Sequence, residues 1–392
     1  MRHLPDTERR SRLARRHGLA GDAGLPDVVS ATRALTVLHA TEAPSVHLAL
    51  WARVPGVSVA DVDRALYDDR TLVKQLAMRR TLFVFPRELL PAAWGSASAR
   101  VARAHGVRLE KDVALGGLAA DGPAWLAEAR AAILELLADG RELSAQQVRE
   151  QTPLAAGKVV LGSGKWAQEV QVTPRVLTQL GLEGAVVRGR NAVHWRTSRP
   201  LWTAMEAWLG ERPDPLPEAE GYVELVRRWL RTFGPGTEAD LVWWLGATKS
   251  AVRLALAEID AVAVSLDGGR TGWLLPEDVD PEPAVAPWAA LLPVLDPTVM
   301  GWKERGFYLG GHAPSLFDSA GNAGTTAWWD GRIVGCWVQD PDGVVEVRLL
   351  EDLPAAGRAA LDEEAVRLTR WLDGHRISTV YPSVAMRARD RA

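Results

Sequence analysis

The sequence predicts an α+β chain of three tandem winged-helix domains followed by a small C-terminal β-barrel. Two patterns carry this expectation. Three short helices followed by a hairpin recur three times within residues 25–280. From Pro287 onward the chain turns to short alternating runs rich in tryptophan, glycine and valine. With 392 residues, 47% of them hydrophobic, it can build several cores.

In the first group, "PDVVSATRALTVLHA" has near-helical apolar spacing, and Pro44 disfavours helical geometry at Ala43, so the helix is expected to end near His39 to Glu42. "SVHLALWARV" fits a second helix and "SVADVDRALYDD" a third, with Ser58 as N-cap. "LVKQLAM" and "TLFVFP" then read as a hairpin around Arg79 and Arg80. The second group has "PAWLAEARAAILELLADG" stopping at Gly140, "SAQQVREQT" starting at Ser144, "TPRVLTQLGLEG", and a wing of "AVVRGR" and "AVHWRT" joined around Asn191. The third has "EGYVELVRRWLRTFGP", "TEADLVWWLG", "TKSAVRLALAEI" and the Gly-Gly hairpin of "AVAVSLDGGRTGWLLP". "LPEDVDPEPAVAPW" is a linker, Asp330-Gly331 a two-residue turn between strands, and 354–373 a late helix. The expected boundaries are a basic tail at 1–24, winged helices at 25–110, 111–200 and 215–280, and the barrel at 287–385.

No apolar run approaches the roughly 20 residues of a membrane helix. The basic start leads into no signal core, and the lone cysteine, Cys336, fits a reducing cytoplasm. Eight histidines show no HExxH or HxH spacing, and no phosphate loop, nucleophile elbow or dinucleotide fingerprint occurs, so neither metal nor cofactor is expected. "GSGKW" at 162–166 lacks phosphate-loop spacing and reads as a turn.

The net charge of −3 conceals strong segregation. Residues 70–108 carry eight basic side chains against one acid, and 157–199 seven against two, whereas 277–364 hold sixteen acids and five bases. Solvated helix faces would account for one such block, but basic wings in three copies favour duplex DNA. The candidate contacts are Lys74, Arg79 and Arg80 in the first group, Arg175, Arg188 and Arg190 in the second, and Lys249, Arg253 and Arg270 in the third, with Arg332 at the late turn. Such groups bind phosphate without reading sequence.

One polar cluster stands apart, in "VLHATEAPSVHLALWARVPG". On local physics alone, His39 is a dipole partner at a helix C-terminus, with Glu42 on its face at i+3. His47 suits packing or phosphate contact.

"LHATEAPSVHLALWARVPG", "DVDRALYDDRTLVKQLAMRRTLFVFP", "LLPVLDPTVMGWKER" and "GNAGTTAWWDGRIVGCW" together resemble the winged-helix DNA glycosylase family typified by the azinomycin-resistance glycosylase AlkZ, over residues 25–385. That resemblance implies three winged helices and a β-barrel in a C-shaped molecule around duplex DNA. It further implies hydrolysis of the N-glycosidic bond of bulky N7-alkylguanines, crosslinks included, in some members for self-resistance to a genotoxic antibiotic. The family's Gln-apolar-Gln or Gln-apolar-Asp element falls here on His39-Ala40-Thr41. N7 alkylation makes guanine a cationic leaving group, so the enzyme has chiefly to place a water at C1′ and stabilise positive charge. Neutral imidazole, with a reference pKa of about 6.5, can orient that water and accept its proton. Thr41 would give a second hydrogen bond, and Glu42 would stabilise positive charge or fix the His39 tautomer. A cytoplasmic, nucleoid-associated monomer acting on adduct-bearing duplex DNA is the expectation. A dimeric winged-helix transcription regulator and an inactive adduct-binding paralogue are the competing readings.

Overall fold

The structure is a computed structural model and describes residues 1–21, 24–162 and 167–387. It divides into two compact units, Met1–Asp63 with Val223–Ala392, and Arg64–Tyr222.

The first unit opens with strand β1 (His3–Leu4) and helix α1 (Asp6–Arg16), on the segment read as a basic tail. Its arginines turn inward: Arg12 pairs with Glu8 at 2.9 Å and donates to the Asp280 carbonyl, and Arg9 lies 3.7 Å over the Phe307 ring. Asp27 caps α2 (Val28–Ala34) through the Val29 and Ser30 amides. This helix stops at Ala34, earlier than the apolar spacing suggests, because Thr36 turns the chain at φ 65°. Leu38 and His39 are then extended as β2. His39 is therefore in a strand and not at a helix C-terminus. Pro44 instead occupies the first turn of α3 (Ala43–Trp51), where its missing N–H has no helical partner to lose. Ser58 and Asp61 exchange backbone-to-side-chain bonds at the start of α4 (Val59–Asp63), as the sequence predicts.

The second unit contains the hairpin β3 (Leu72–Leu76) and β4 (Leu82–Pro86), with Arg79 and Arg80 at its tip. The short α5 (Leu90–Ala93) precedes α6 (Ala99–Leu115), a long helix that apolar periodicity did not single out. After them come α7 (Gly122–Leu137), α8 (Ala145–Gln151), the hairpin β5 (Lys158–Leu161) and β6 (Gln168–Gln171), and α9 (Thr173–Leu182). Leu109, Ile133, Val148, Leu177 and Leu180 form its core. "GSGKW" falls, from Ser163, outside the described residues. "AVVRGR" forms β7 (Val186–Asn191), but its partner is β8 (Pro200–Ala204) and not "AVHWRT". Residues 192–199 are the connection, closed by bonds from the Ala192 amide to the Arg199 carbonyl and from the Thr197 amide to the His194 carbonyl. The helix α10 (Met205–Leu209) follows.

Helix α11 (Glu218–Phe233) spans the boundary between the units. Thr237 and Asp240 form a capping box on α12 (Glu238–Leu245), and Thr248 caps α13 (Lys249–Glu258). The hairpin β9 (Val262–Leu266) and β10 (Thr271–Leu274) turns on Gly268 and Gly269, both at positive φ, and β1 adds to β9 in parallel. Beyond the linker lie β11 (Ala289–Leu292), α14 (Pro297–Met300), α15 (Gly306–Leu309), α16 (Ala313–Leu316), β12 (Thr326–Trp329), β13 (Arg332–Gln339), β14 (Val345–Leu349), α17 (Ala355–Leu372) and α18 (Val384–Arg387). The strands form one antiparallel sheet in the order β11-β12-β13-β14, with Asp330-Gly331 as the turn predicted between β12 and β13. The expected barrel is thus, among the described residues, an open sheet: four strands are too few to close, and α17 packs against it. Cys336 is buried in β13, and burial pushes its thiol up to about 11.

A buried polar chain ties these pieces of the first unit together. Arg53, just past α3, makes a two-pronged bond to Asp296 at 2.7 and 3.0 Å, with both side chains fully buried. Arg53 also donates to the Ala49 carbonyl and to Thr298 Oγ1, each at 2.7 Å. His17 Nε2 faces the Thr232 carbonyl, which only accepts, so Nε2 carries the proton and Nδ1 accepts from Thr298 Oγ1. The Thr232 hydroxyl donates to the Ala34 carbonyl and lies 2.8 Å from the hydroxyl of Thr36.

Removing one partner of a fully buried pair strands the other charge. Asp296→Ala should therefore lower unfolding free energy by about 3–5 kcal/mol, whereas Arg53→Met with Asp296→Leu should lose less. Urea denaturation of the single and double variants measures this, and a single-variant loss below about 1 kcal/mol would contradict it. Burial and the nearby Arg53 charge push the His17 pKa down to about 3. The unfolded chain thus takes up a proton that the folded chain refuses between about pH 6.5 and 3. Stability should be intact above pH 6.5 and fall on acidification by up to about 1.4 kcal/mol per pH unit from this group. Melts from pH 7 to 4.5 should show a shallower slope in His17→Gln.

Candidate functional site and family

The approach to the motif is set by Thr36. A β-branched residue at positive φ is strained, and such strain persists only where surrounding bonds enforce it. Thr36 is 1% exposed, and its hydroxyl meets the Arg228 carbonyl at 3.1 Å as well as Thr232. Three residues later His39 is buried in β2 at 8% exposure, and Ala40 is buried beside it. Thr41 and Glu42 are half-buried, so the motif passes from interior to surface over four residues.

The downstream side is equally fixed. Every residue of α3 from Pro44 to Trp51 is buried, its apolar side chains packed and its two polar ones, Ser45 and His47, hydrogen-bonded. Ser45 Oγ donates to the Val294 carbonyl at 2.7 Å, and Arg53 anchors the far end. His47 is buried with Nε2 3.1 Å from Asp63 Oδ1. Glu42 precedes α3 without capping it through its side chain. Its Oε1 accepts from the Val380 amide at 2.8 Å and from Thr379 Oγ1 at 3.1 Å. A carboxylate held there can stabilise developing positive charge, a buried imidazole can take a proton from water, and a hydroxyl can orient that water.

The basic candidates fall in both units. In the second, Arg79 and Arg80 occupy the β3–β4 tip at φ 56° and 60°, with Arg80 exposed. Lys74 is half-buried and donates to the Tyr67 hydroxyl at 2.6 Å. Arg175 pairs with Asp112, and Arg190 with Asp68. Arg188 lies 4.9 Å from the Trp202 ring, and burial pushes its pKa down to about 10, still a cation at neutral pH. In the first unit, Lys249 is exposed at the start of α13, Arg253 pairs with Glu238 at 2.6 Å, Arg270 with Glu304 at 2.7 Å and Arg332 with Glu351 at 3.3 Å. Exposed pairs are worth about 0–1 kcal/mol, so these arginines can exchange a carboxylate for a phosphate at little cost. Among the described residues, Arg80 and Lys249 have no carboxylate partner to exchange.

A cavity of about 660 Å³ between β14 and α17, lined by Val347, Arg348, Val366 and Arg370, holds none of the predicted site residues. Among the described residues, no group of three His, Cys, Asp or Glu side chains is placed to hold a metal ion, and no helix is long and apolar enough to cross a membrane. Sequence reasoning missed Thr36, Arg53, Asp296 and the Thr379–Tyr381 segment. Arg53 carried the clearest signal, a cation directly after the apolar run "LALWA".

The chain has the fold of a DNA glycosylase. Among solved structures it is similar to the Streptomyces sahachiroi DNA glycosylase AlkZ, with a TM-score of 0.75 and 20% identity over 96% of this chain and 99% of that one. No curated protein matches it. The chain belongs to the AlkZ-like DNA glycosylase family, whose model matches residues 32–371. The matched stretch contains the whole segment from His39 to Glu42, Arg53 and Asp296.

Thr36→Val keeps the β-branch but removes a hydroxyl from buried partners. It should cost about 1–3 kcal/mol. It should also slow base excision more than it weakens DNA binding, if the turn sets the place of His39. Denaturation melts with parallel excision and binding assays check both, and unchanged excision in a destabilised variant would leave Thr36 a purely structural role.

Proposed function

We propose that this enzyme hydrolyses the N-glycosidic bond of bulky N7-alkylguanines in duplex DNA, intercalating adducts and crosslinks included. The observation that carries the reading is a buried histidine on the strand that leads directly into α3, followed by a half-buried threonine and glutamate, inside the family-matched stretch. His39 accepts a proton from water as the water oxygen bonds to C1′. The C1′–N9 electron pair leaves with the base, and the cationic 7-alkylguanine departs neutral. Thr41 orients the water, and Glu42 stabilises the oxocarbenium-like sugar. An abasic site remains, without strand cleavage.

The three helix-and-hairpin groups act in this reading as winged helices, and the enzyme reaches C1′ from the groove. Lys74, Arg79, Arg80, Arg175, Arg188, Arg190, Lys249, Arg253, Arg270 and Arg332 supply phosphate contacts. An open channel suits a base tied to the opposite strand, which cannot rotate freely into a pocket. The enzyme works as a cytoplasmic, nucleoid-associated monomer, in self-resistance to a genotoxic antibiotic.

Single-turnover excision from duplexes carrying 7-methylguanine, an intercalating N7-guanine adduct or a crosslink tests this, with alkali-labile abasic sites as the readout. His39→Ala should lower the rate about 100-fold or more with duplex binding retained. Undiminished excision by His39→Ala would remove His39 from the chemistry. Excision of uracil as fast as of the bulky adduct would refute the substrate class.

A further inference from the structure

The family-matched stretch ends at Trp371, yet the chain continues and returns to the motif. Gln339 holds the returning segment, its Nε2 donating to the His375 carbonyl at 3.0 Å and its Oε1 accepting from the Ile377 amide at 2.8 Å. At the far end, Arg348 donates to the Ala385 and Met386 carbonyls. Between these anchors Thr379 and Val380 both donate to Glu42 Oε1, and the Tyr381 amide donates back to Thr379 Oγ1 at 3.0 Å. The strap is thus fixed on Glu42, at the surface end of the motif.

Fixed in this way, the strap presents apolar and aromatic surface beside the motif. Val380 is 79% exposed and Val384 61%, while Tyr381 is half-buried. Tyr381 follows Val380 directly, and its amide bond to Thr379 Oγ1 ties it to the residue that holds Glu42; burial, then the Glu42 and Asp318 carboxylates, push its pKa up. An exposed valine next to an aromatic ring on a rigid segment suits a planar apolar ligand. A small N7 substituent needs no such surface, but the aromatic body of a large adduct does.

We propose that the Thr379–Tyr381 strap is a wall of the active site that selects large aromatic N7 adducts over small ones, with Val380 and Tyr381 touching the adduct. Thr379 is a positioning residue that holds Glu42. This rests on the glycosylase reading above.

The test compares kcat/KM on two duplexes, one with an N7-guanine adduct bearing a three-ring aromatic group and one with 7-methylguanine. Tyr381→Ala and Val380→Asn should each lower the ratio of the first to the second about 10-fold, in line with one lost stacking contact. Tyr381→Phe should keep the ratio. Thr379→Val should slow both substrates alike, with recovery in Thr379→Ser. Equilibrium binding of the aromatic-adduct duplex against unmodified duplex, in a His39→Ala background, gives a readout independent of excision. There the same two strap variants should erase most of the preference for the adduct. Val380 is exposed, so its variant folds even if Tyr381→Ala does not. A wild type that releases neither base, with adduct preference lost in the strap variants, would retain the wall and overturn the glycosylase reading. A wild type that releases both, with ratio and preference unchanged in Val380→Asn and Tyr381→Ala, would overturn the wall alone.

Discussion

The first unit depends on one buried ion pair, Arg53 with Asp296. The two residues are far apart in sequence, one ending the helix that follows the motif and the other capping α14. Taking both charges out of water is costly, and the attraction offsets that cost only with good geometry and further bonds. Those bonds are present: two prongs between the partners, the Ala49 carbonyl, the Thr298 hydroxyl and the Thr298 amide. An apolar pair of similar volume could stabilise as much, but would not fix direction and register as a fork does.

From that pair, placement passes outward to the motif by two routes. One runs through Thr298, His17 and Thr232 to the strained turn at Thr36, upstream of His39. The other runs back along α3, whose buried surface leaves it no freedom to rotate. The motif is thus held on both sides while Thr41 and Glu42 stay accessible, a combination a water-activating site requires. Glu42 gains a third support from the strap, so the end of the chain reports on its middle.

The charged surface follows different physics. Four of the candidate phosphate ligands, Arg190, Arg253, Arg270 and Arg332, are paired with carboxylates across exposed or half-exposed positions, where pairing adds little stability. Weak pairs keep long arginine side chains ordered and soluble without committing them. The paired exceptions, such as Arg175 with Asp112 at 17% and 13% side-chain exposure, are more deeply held and less free to exchange.

The sequence by itself determined what depends on neighbours along the chain. Apolar period, caps such as Ser144 and Thr237, and turn pairs such as Asp330-Gly331 act over one to four residues, so most helices and hairpins were legible. The position of the candidate site was legible too, because the blocks around it resemble a family in the same order. Three things needed tertiary structure, each because a distant residue overrode a local preference. The early end of α2 needs the bonds that hold Thr36 at positive φ, and without them apolar spacing carries the helix on to His39. The open C-terminal sheet reflects strand number and the packing of α17, and alternation within a strand encodes neither. The meeting of Glu42 with Thr379 and Val380 spans more than 330 residues, and a threonine hydroxyl and a backbone amide leave no mark in sequence that such a contact exists.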